Sequence, residues 1–339
     1  MVVLAKGELE QIALPAAVQK AAAPPLADVP EVDLGGCCRA ATARAVVAAC
    51  EGHGFFKVTG HGVPAALLAR VEAAAAAFFA MPQLEKEAAA GSPFGYGSKR
   101  IGCNGDLGWV EYLLLGVAAA GAAPLSVHGE PSPSFCSFRD VLNEYVVAVR
   151  AMAREVLGLM AEGLGLEEED ALARLVSRDD SDTMLRVNHY PPHPEREREP
   201  EPGRLTGFGE HTDPQIISVL RSNDTSGLEI SLRDGTWASV PPDRSSFFVN
   251  VGDVLQVLTN GRFRSVRHRV MVSSARPRVS VIFFAGPPPW ERLAPLPWLV
   301  AEDGGRRRYR EFTWREYKAS AYRTKLAENR LCYFEAEAH

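Results

Sequence analysis

The spacing of apolar residues changes character part-way along the chain. Up to about residue 183 the dominant period is helical, and from Met184 it is that of strands. An Ala-rich stretch at 40–51 predicts a helix stopped by Gly52-His53-Gly54, after which Phe55-Phe56-Lys57-Val58 resumes as a strand. A short first strand is expected at 30–34. Gly60-His61-Gly62-Val63-Pro64 then turns the chain into a second helix at 65–80. The longest helical pattern covers 135–164, carried by Phe138, Leu142, Tyr145, Val149, Met152, Val156 and Met160. A shorter helix is expected at 166–176. A last one at 314–328 would pack back through Tyr317, Tyr322 and Leu326.

Beyond Met184 eight short strands are expected, at 185–190, 211–220, 228–232, 236–240, 246–251, 254–258, 266–273 and 279–284. Gly, Pro and Asn turns separate them, and Pro287-Pro288-Pro289 ends the series. This regular spacing predicts a double-stranded β-helix (jelly roll) core, giving a mainly β protein with flanking helices. The expected organisation is a mobile segment at 1–25, a helix-rich region at 26–180, the jelly roll at 181–290 and a helical segment at 291–339. Residues 194–204 are charge-dense and broken by prolines, as in a solvated loop. Residues 92–112 alternate Gly with aromatic residues before two cations, which suits a loop or bent strand lining a pocket. A surface turn with solvated cations is the alternative there.

Composition narrows the classes. The 339 residues are 46% apolar and 23% charged, ordinary for a globular protein and enough for a sizeable core. A net charge of −5 gives no electrostatic case for nucleic acid. No apolar run reaches the roughly 18 residues of a membrane helix. The six cysteines have no CxxC spacing, so buried thiols in a reducing compartment are expected. The first residues lack the pattern of a signal or transit peptide, and a cytoplasmic location is expected. Periodicity leaves the oligomeric state open.

The chemistry centres on His211-Thr212-Asp213, whose His and Asp share one side of an extended segment. A second imidazole from a neighbouring strand, His268, would complete a 2-His-1-carboxylate face. Three such ligands leave three positions of an octahedral ion open: two for a chelating 2-oxo acid and one for O2. Farther on, Arg278 and Ser280 share a strand face. Arg278 can clamp the acid's far carboxylate through paired hydrogen bonds, Ser280 can add a hydroxyl, and Tyr190 is a third donor. Zinc hydrolysis is the rival metal reading, though it needs no such arginine. His53 and His61 read as structural turn histidines, without an acidic partner at ligand spacing. The remaining alternative is that all these histidines merely fill a barrel.

These residues also carry a resemblance. From about residue 27 to 330 the sequence resembles the plant 2-oxoglutarate- and Fe(II)-dependent dioxygenases. The shared features are Gly54-Phe55-Phe56, Gly60-His61-Gly62-Val63, Asn188-His189-Tyr190-Pro191-Pro192, the HxD, Asn250-Val251-Gly252-Asp253, Asn260-Gly261-Arg262-Phe263, His268-Arg269-Val270 and Arg278-Val279-Ser280. Within that group, Phe94-Gly95-Tyr96-Gly97-Ser98-Lys99-Arg100-Ile101-Gly102, Asn104-Gly105-Asp106, Gly108-Trp109 and Glu111-Tyr112-Leu113-Leu114 look like the gibberellin 2-oxidases, more narrowly the class acting on C19 gibberellins. The resemblance implies iron at His211, Asp213 and His268, and 2-oxoglutarate at Tyr190, Arg278 and Ser280. It implies 2β-hydroxylation that inactivates the hormone, using Fe(II), 2-oxoglutarate and O2, with ascorbate as reductant. A gibberellin is a rigid apolar polycycle with one carboxylate. Phe94 and Tyr96 are therefore expected as pocket walls, and Lys99 or Arg100 as the matching cation. Two positions depart from the family: His193 replaces the usual Cys after Tyr-Pro-Pro, and Gly60 the usual Asn. The alternatives are the same chemistry on another small apolar acid or a flavonoid, and a catalytically silent ligand-binding barrel.

Overall fold

The computed structural model describes residues 19–20, 23–88, 94–101, 106–117, 133–192 and 204–337. The expected mobile start lies largely outside these residues. So does the charge-dense loop, apart from Arg204, together with His193.

In chain order come β1 (Gln19–Lys20), β2 (Glu31–Asp33), α1 (Arg39–Gly52), β3 (Phe55–Thr59), α2 (Ala65–Phe79) and α3 (Gln83–Glu87). The antiparallel pair β4 (Gly95–Ile101) and β5 (Asp106–Gly116) precedes α4 (Pro133–Gly163) and α5 (Arg174–Ser177). Then follow β6 (Met184–Tyr190), β7 (Arg204–His211), β8 (Ile217–Ser222), β9 (Leu228–Ser231), β10 (Trp237–Ser239), β11 (Phe247–Val251) and α6 (Asp253–Leu258). The chain continues through β12 (His268–Met271), β13 (Arg278–Ala285), β14 (Arg292–Leu293), α7 (Pro297–Glu302), β15 (Phe312–Thr313) and α8 (Trp314–Arg323). A 3-10 turn at Arg330–Phe334 follows.

The strands form two facing sheets. The larger has the order β2-β3-β11-β8-β13-β6-β5-β4, and the smaller β1-β7-β12-β9-β10. Non-sequential neighbours joined by antiparallel ladders are the jelly-roll arrangement. Because side chains alternate across a strand, each strand of the large sheet serves two cores. Outward, Leu185, Val187, Val219, Val249 and Val281 pack with α1, α2 and α4 into the main cluster. Inward, Phe55, Leu220, Phe248 and Ile282 meet Leu228 and Ile230 of the small sheet. The sheets close on each other at Gly108 and Gly207, where a Cβ on Gly108 would lie 2.2 Å from the Gly207 carbonyl oxygen.

Most expected elements are present, with four differences. Residues 254–258 form the helix α6, not a strand: a short run, apolar apart from Gln256, looks the same in either state. Strand β7 starts at Arg204, well before the expected start at His211. Its Gly207 and Gly209 hide the alternation. Of 166–176, only the end, α5, is α-helical. Helix α8 stops at Arg323, and Tyr322 is 43% exposed while Tyr317 is fully buried.

A charged cluster lies within the helix-facing core. The Lys86 ammonium contacts Glu111 Oε2 at 2.6 Å, the Tyr96 hydroxyl donates to the same oxygen at 2.8 Å, and His189 Nδ1 lies 2.7 Å from Oε1. The cluster joins α3, β4, β5 and β6 from behind the large sheet. Burial raises the Glu111 pKa, but the hydrogen bonds from His189 and Lys86 outweigh it, leaving the carboxyl below its ordinary value of 4.5. Its stabilisation is therefore full above that value and disappears as pH falls through the lower folded pKa. Glu111→Gln leaves the Lys86 charge buried without its partner. The expected cost is about 3 kcal/mol, read by urea denaturation at pH 7. The gap between variant and native protein should narrow below pH 4.5.

Candidate metal and oxo-acid site

A pocket lies between the two sheets, and strands β6, β7, β8, β9, β11, β12 and β13 all contribute to its lining. His211 ends β7 and His268 begins β12, and the ladder sets the two residues directly opposite each other. Their rings lie 4.2 Å apart between centroids. Asp213 follows β7, its backbone fixed by the Asp253 N–H, which donates to the Asp213 carbonyl at 2.8 Å. Asp213 Oδ1 is 3.6 Å from His211 Nε2 and 3.7 Å from His268 Nε2. All three ligand atoms lie within 4.8 Å of one another, as donors to one ion would.

Each group is held in the state a metal requires. His211 Nδ1 donates to the Gly209 carbonyl at 2.8 Å and His268 Nδ1 to that of Val266 at 3.2 Å. That tautomer leaves both Nε2 lone pairs facing Asp213. Burial, then the neighbouring His268, lowers the His211 pKa, so its imidazole is neutral. Burial works to raise the Asp213 pKa, but attraction to the imidazole pair when it carries a proton, with the hydrogen bonds from Ser218 and Asn250, outweighs it and holds the carboxyl below its ordinary value of 3.8. Oδ2 accepts from the Ser218 hydroxyl and from Asn250 Nδ2 at 3.2 Å, which leaves Oδ1 for the ion. Behind them, Tyr317 donates to Asp253 Oδ2 at 2.5 Å and Thr212 at 3.1 Å, while Arg330 donates to the Thr212 carbonyl at 3.2 Å. The final helix thus braces the segment that carries two of the ligands.

Beside the triad is a pocket with about 460 Å³ of empty space, part of it open to solvent. Arg278 and Tyr190 face each other in the β13–β6 ladder, and Ser280 lies opposite Asn188. Arg278 is 2% exposed, yet its Nε and Nη1 have no hydrogen-bond partner. Burial alone lowers its pKa, with Tyr190 opposing. A guanidinium this deep with idle donors fits an anionic ligand, and planar paired donors fit a carboxylate. The arrangement therefore suits both groups: a divalent ion at the triad and a 2-oxo acid reaching from it to Arg278.

The expected substrate residues are elsewhere. None of Phe94, Tyr96, Lys99 and Arg100 lines this pocket. Tyr96 pairs with Leu113 on the helix-facing side of the large sheet, where its hydroxyl serves Glu111, which corrects its assignment as a pocket wall. Phe94 lies beside Gly116, Lys99 sits at a bulge with φ 64°, and Arg100 is exposed. The pocket is walled instead by Phe208, Leu228, Val270, Ile282 and Phe284, with Arg186 among them. Sequence reasoning missed Arg186, Ser218 and Asn250. Arg186 has the parity of Asn188 and Tyr190 on one strand, and that signal could have found it.

The comparisons with known proteins agree with this geometry. Residues 181–287 match the 2OG-Fe(II) oxygenase superfamily, and residues 26–132 match the N-terminal region described as non-haem dioxygenase in morphine synthesis. Fold and site define a 2OG-Fe(II) oxygenase. The solved structure of JOX2 in complex with 2OG, Fe and JA is similar with a TM-score of 0.80 at 31% identity, covering 96% of this chain and 94% of that one. Gibberellin 2-beta-dioxygenase 1 of Pisum sativum is 54% identical, over 86% of each chain. Its counterpart from Arabidopsis thaliana is 52% identical, over 86% of this chain and 88% of its own. The chain belongs to the gibberellin 2-beta-dioxygenase family.

Metal affinity should depend on the residues that hold Asp213. Asn250→Ala removes one hydrogen bond to Oδ2. The expected result is a Kd for Mn(II) or Co(II) raised on the order of 10- to 100-fold, measured by calorimetry, with the fold retained.

Proposed function

We propose that this protein 2β-hydroxylates bioactive C19 gibberellins and so inactivates the hormone. Kinship with the gibberellin 2-beta-dioxygenases carries the substrate, and the His-Asp-His cluster facing a buried, unpaired Arg278 supports the chemistry. The cofactors are Fe(II) and 2-oxoglutarate with O2. When bound, they supply the oxidising power for C–H hydroxylation, yielding succinate and CO2.

The chain's own residues do the rest. His211, Asp213 and His268 hold the metal on one face and leave the opposite face to ligands. Arg278 takes the far carboxylate of 2-oxoglutarate, with the Ser280 and Tyr190 hydroxyls beside it. Phe208, Val270 and Ile282 keep water from the reacting carbon and fix the polycycle's orientation. A cytoplasmic location belongs to the same proposal. Its support is that Cys37, Cys38, Cys50 and Cys332 are all free thiols, as in a reducing compartment, although only Cys50 is buried as expected and the other three are exposed.

The test is aerobic incubation with Fe(II), ascorbate and 2-oxoglutarate, with and without a C19 gibberellin. Succinate released in step with a product one oxygen heavier is expected. Succinate without hydroxylated gibberellin would keep the oxygenase and overturn the substrate. Arg278→Lys should raise the KM for 2-oxoglutarate by on the order of 10- to 100-fold, since an ammonium cannot donate two parallel hydrogen bonds. The KM for gibberellin should change far less.

A further inference from the structure

Arg186 stands in the pocket wall on β6, four residues before Tyr190 and on the same face. At strand spacing this puts it about 13 Å from the oxo-acid end of the site. Its guanidinium carbon lies 4.0 Å from the Tyr112 ring centroid and 5.0 Å from that of Phe208. Its Nε donates to Asn188 Oδ1 at 2.8 Å. These contacts fix the plane of the group and use one of its donors. Nη2 is buried and has no partner, and among the described residues no carboxylate pairs with it. A guanidinium in the pocket lining, stacked against two rings and left with an idle buried donor, is a prepared anion contact.

Charge balance points the same way. Among the pocket-lining residues two guanidiniums, Arg186 and Arg278, stand against one carboxylate, Asp213. A divalent ion adds two positive charges, and the dicarboxylate 2-oxoglutarate removes two. One positive charge remains in a largely apolar pocket, where an unpaired charge is costly. A single carboxylate on the substrate would cancel it.

We infer that Arg186 is the specificity-determining residue that binds the substrate's carboxylate, taking the part that Lys99 and Arg100 do not fill. This rests on the gibberellin reading above and names the contact that selects an acid. The aromatic pair Tyr112 and Phe208 holds the guanidinium flat, and the apolar body of the ligand then extends from Arg186 towards the triad.

The experiment compares a C19 gibberellin with its methyl ester, in which the carboxylate is masked, on the holoenzyme with Fe(II) and 2-oxoglutarate. Native protein should prefer the acid in kcat/KM by on the order of 10- to 100-fold, as for loss of a charge-assisted hydrogen bond. In Arg186→Gln that preference should collapse towards unity through a higher KM for the acid. Arg186→Lys, which keeps the charge without the stacked plane, should retain part of it. The Kd for 2-oxoglutarate, read on the Mn(II) protein without turnover, should move far less than the gibberellin KM. An acid preference kept in Arg186→Gln would overturn the assignment. So would loss of acid and ester turnover alike, or a shift mainly in 2-oxoglutarate binding. If native protein hydroxylates neither compound while still producing succinate, the gibberellin reading itself fails, and this inference with it.

Discussion

The Asp213 carboxylate is the point on which both halves of the barrel depend. One oxygen is tied to Ser218 on β8 and Asn250 on β11, both in the large sheet. The other faces His211 on β7 and His268 on β12, both in the small sheet. A single buried anion thus bridges two sheets that also meet through apolar side chains, the close backbone approach at Gly108 and Gly207, and the stacking of Arg186 on Phe208. An ionised group at that depth is tolerable only because every direction around it is filled by a donor or a ligand to a cation.

Behind that carboxylate the support extends a long way in sequence. Asp253, at the first turn of α6, holds the Asp213 carbonyl with its own N–H and accepts from Thr212 and Tyr317. Tyr317 comes from α8, and Arg330 from the turn beyond it reaches the Thr212 carbonyl. A segment that reads as a mere packing helix therefore belongs to the frame of the site. Orientation of ligands by such outer contacts sets how firmly a metal is held.

Much of this was legible in the sequence, for a physical reason. His211 and Asp213 two apart, a later His268, and Arg278 with Ser280 on one strand face all follow from the period of a strand, and Tyr190 was found the same way. What the period does not carry is register: which strand lies opposite which, and so which face of a segment meets the cavity. Tyr96 failed for that reason, since its pairing with Leu113 turns it to the helices. Arg186 was missed because a lone arginine on an alternating strand reads as solvated. Only the packing of Tyr112 and Phe208 reveals it as enclosed. The short run at 254–258 failed because four of its five residues are buried apolar ones, which leaves too little contrast to separate a helix from a strand.

Strands β5 and β6 each show two unlike faces. Val110, Tyr112, Arg186 and Asn188 look into the barrel, while Glu111 and His189 join Lys86 and Tyr96 behind it. The rear face is a tight set of mutually dependent charges, in which any one change strands a partner. The front face is a row of stacked and hydrogen-bonded side chains in which Arg186 is the one charge and keeps a donor idle. Heredity can therefore act on the two unequally. Mutations along the rear are purged as failures of folding, whereas the front can drift one residue at a time and arrive at a new acid, ring or size without rebuilding the wall that carries it.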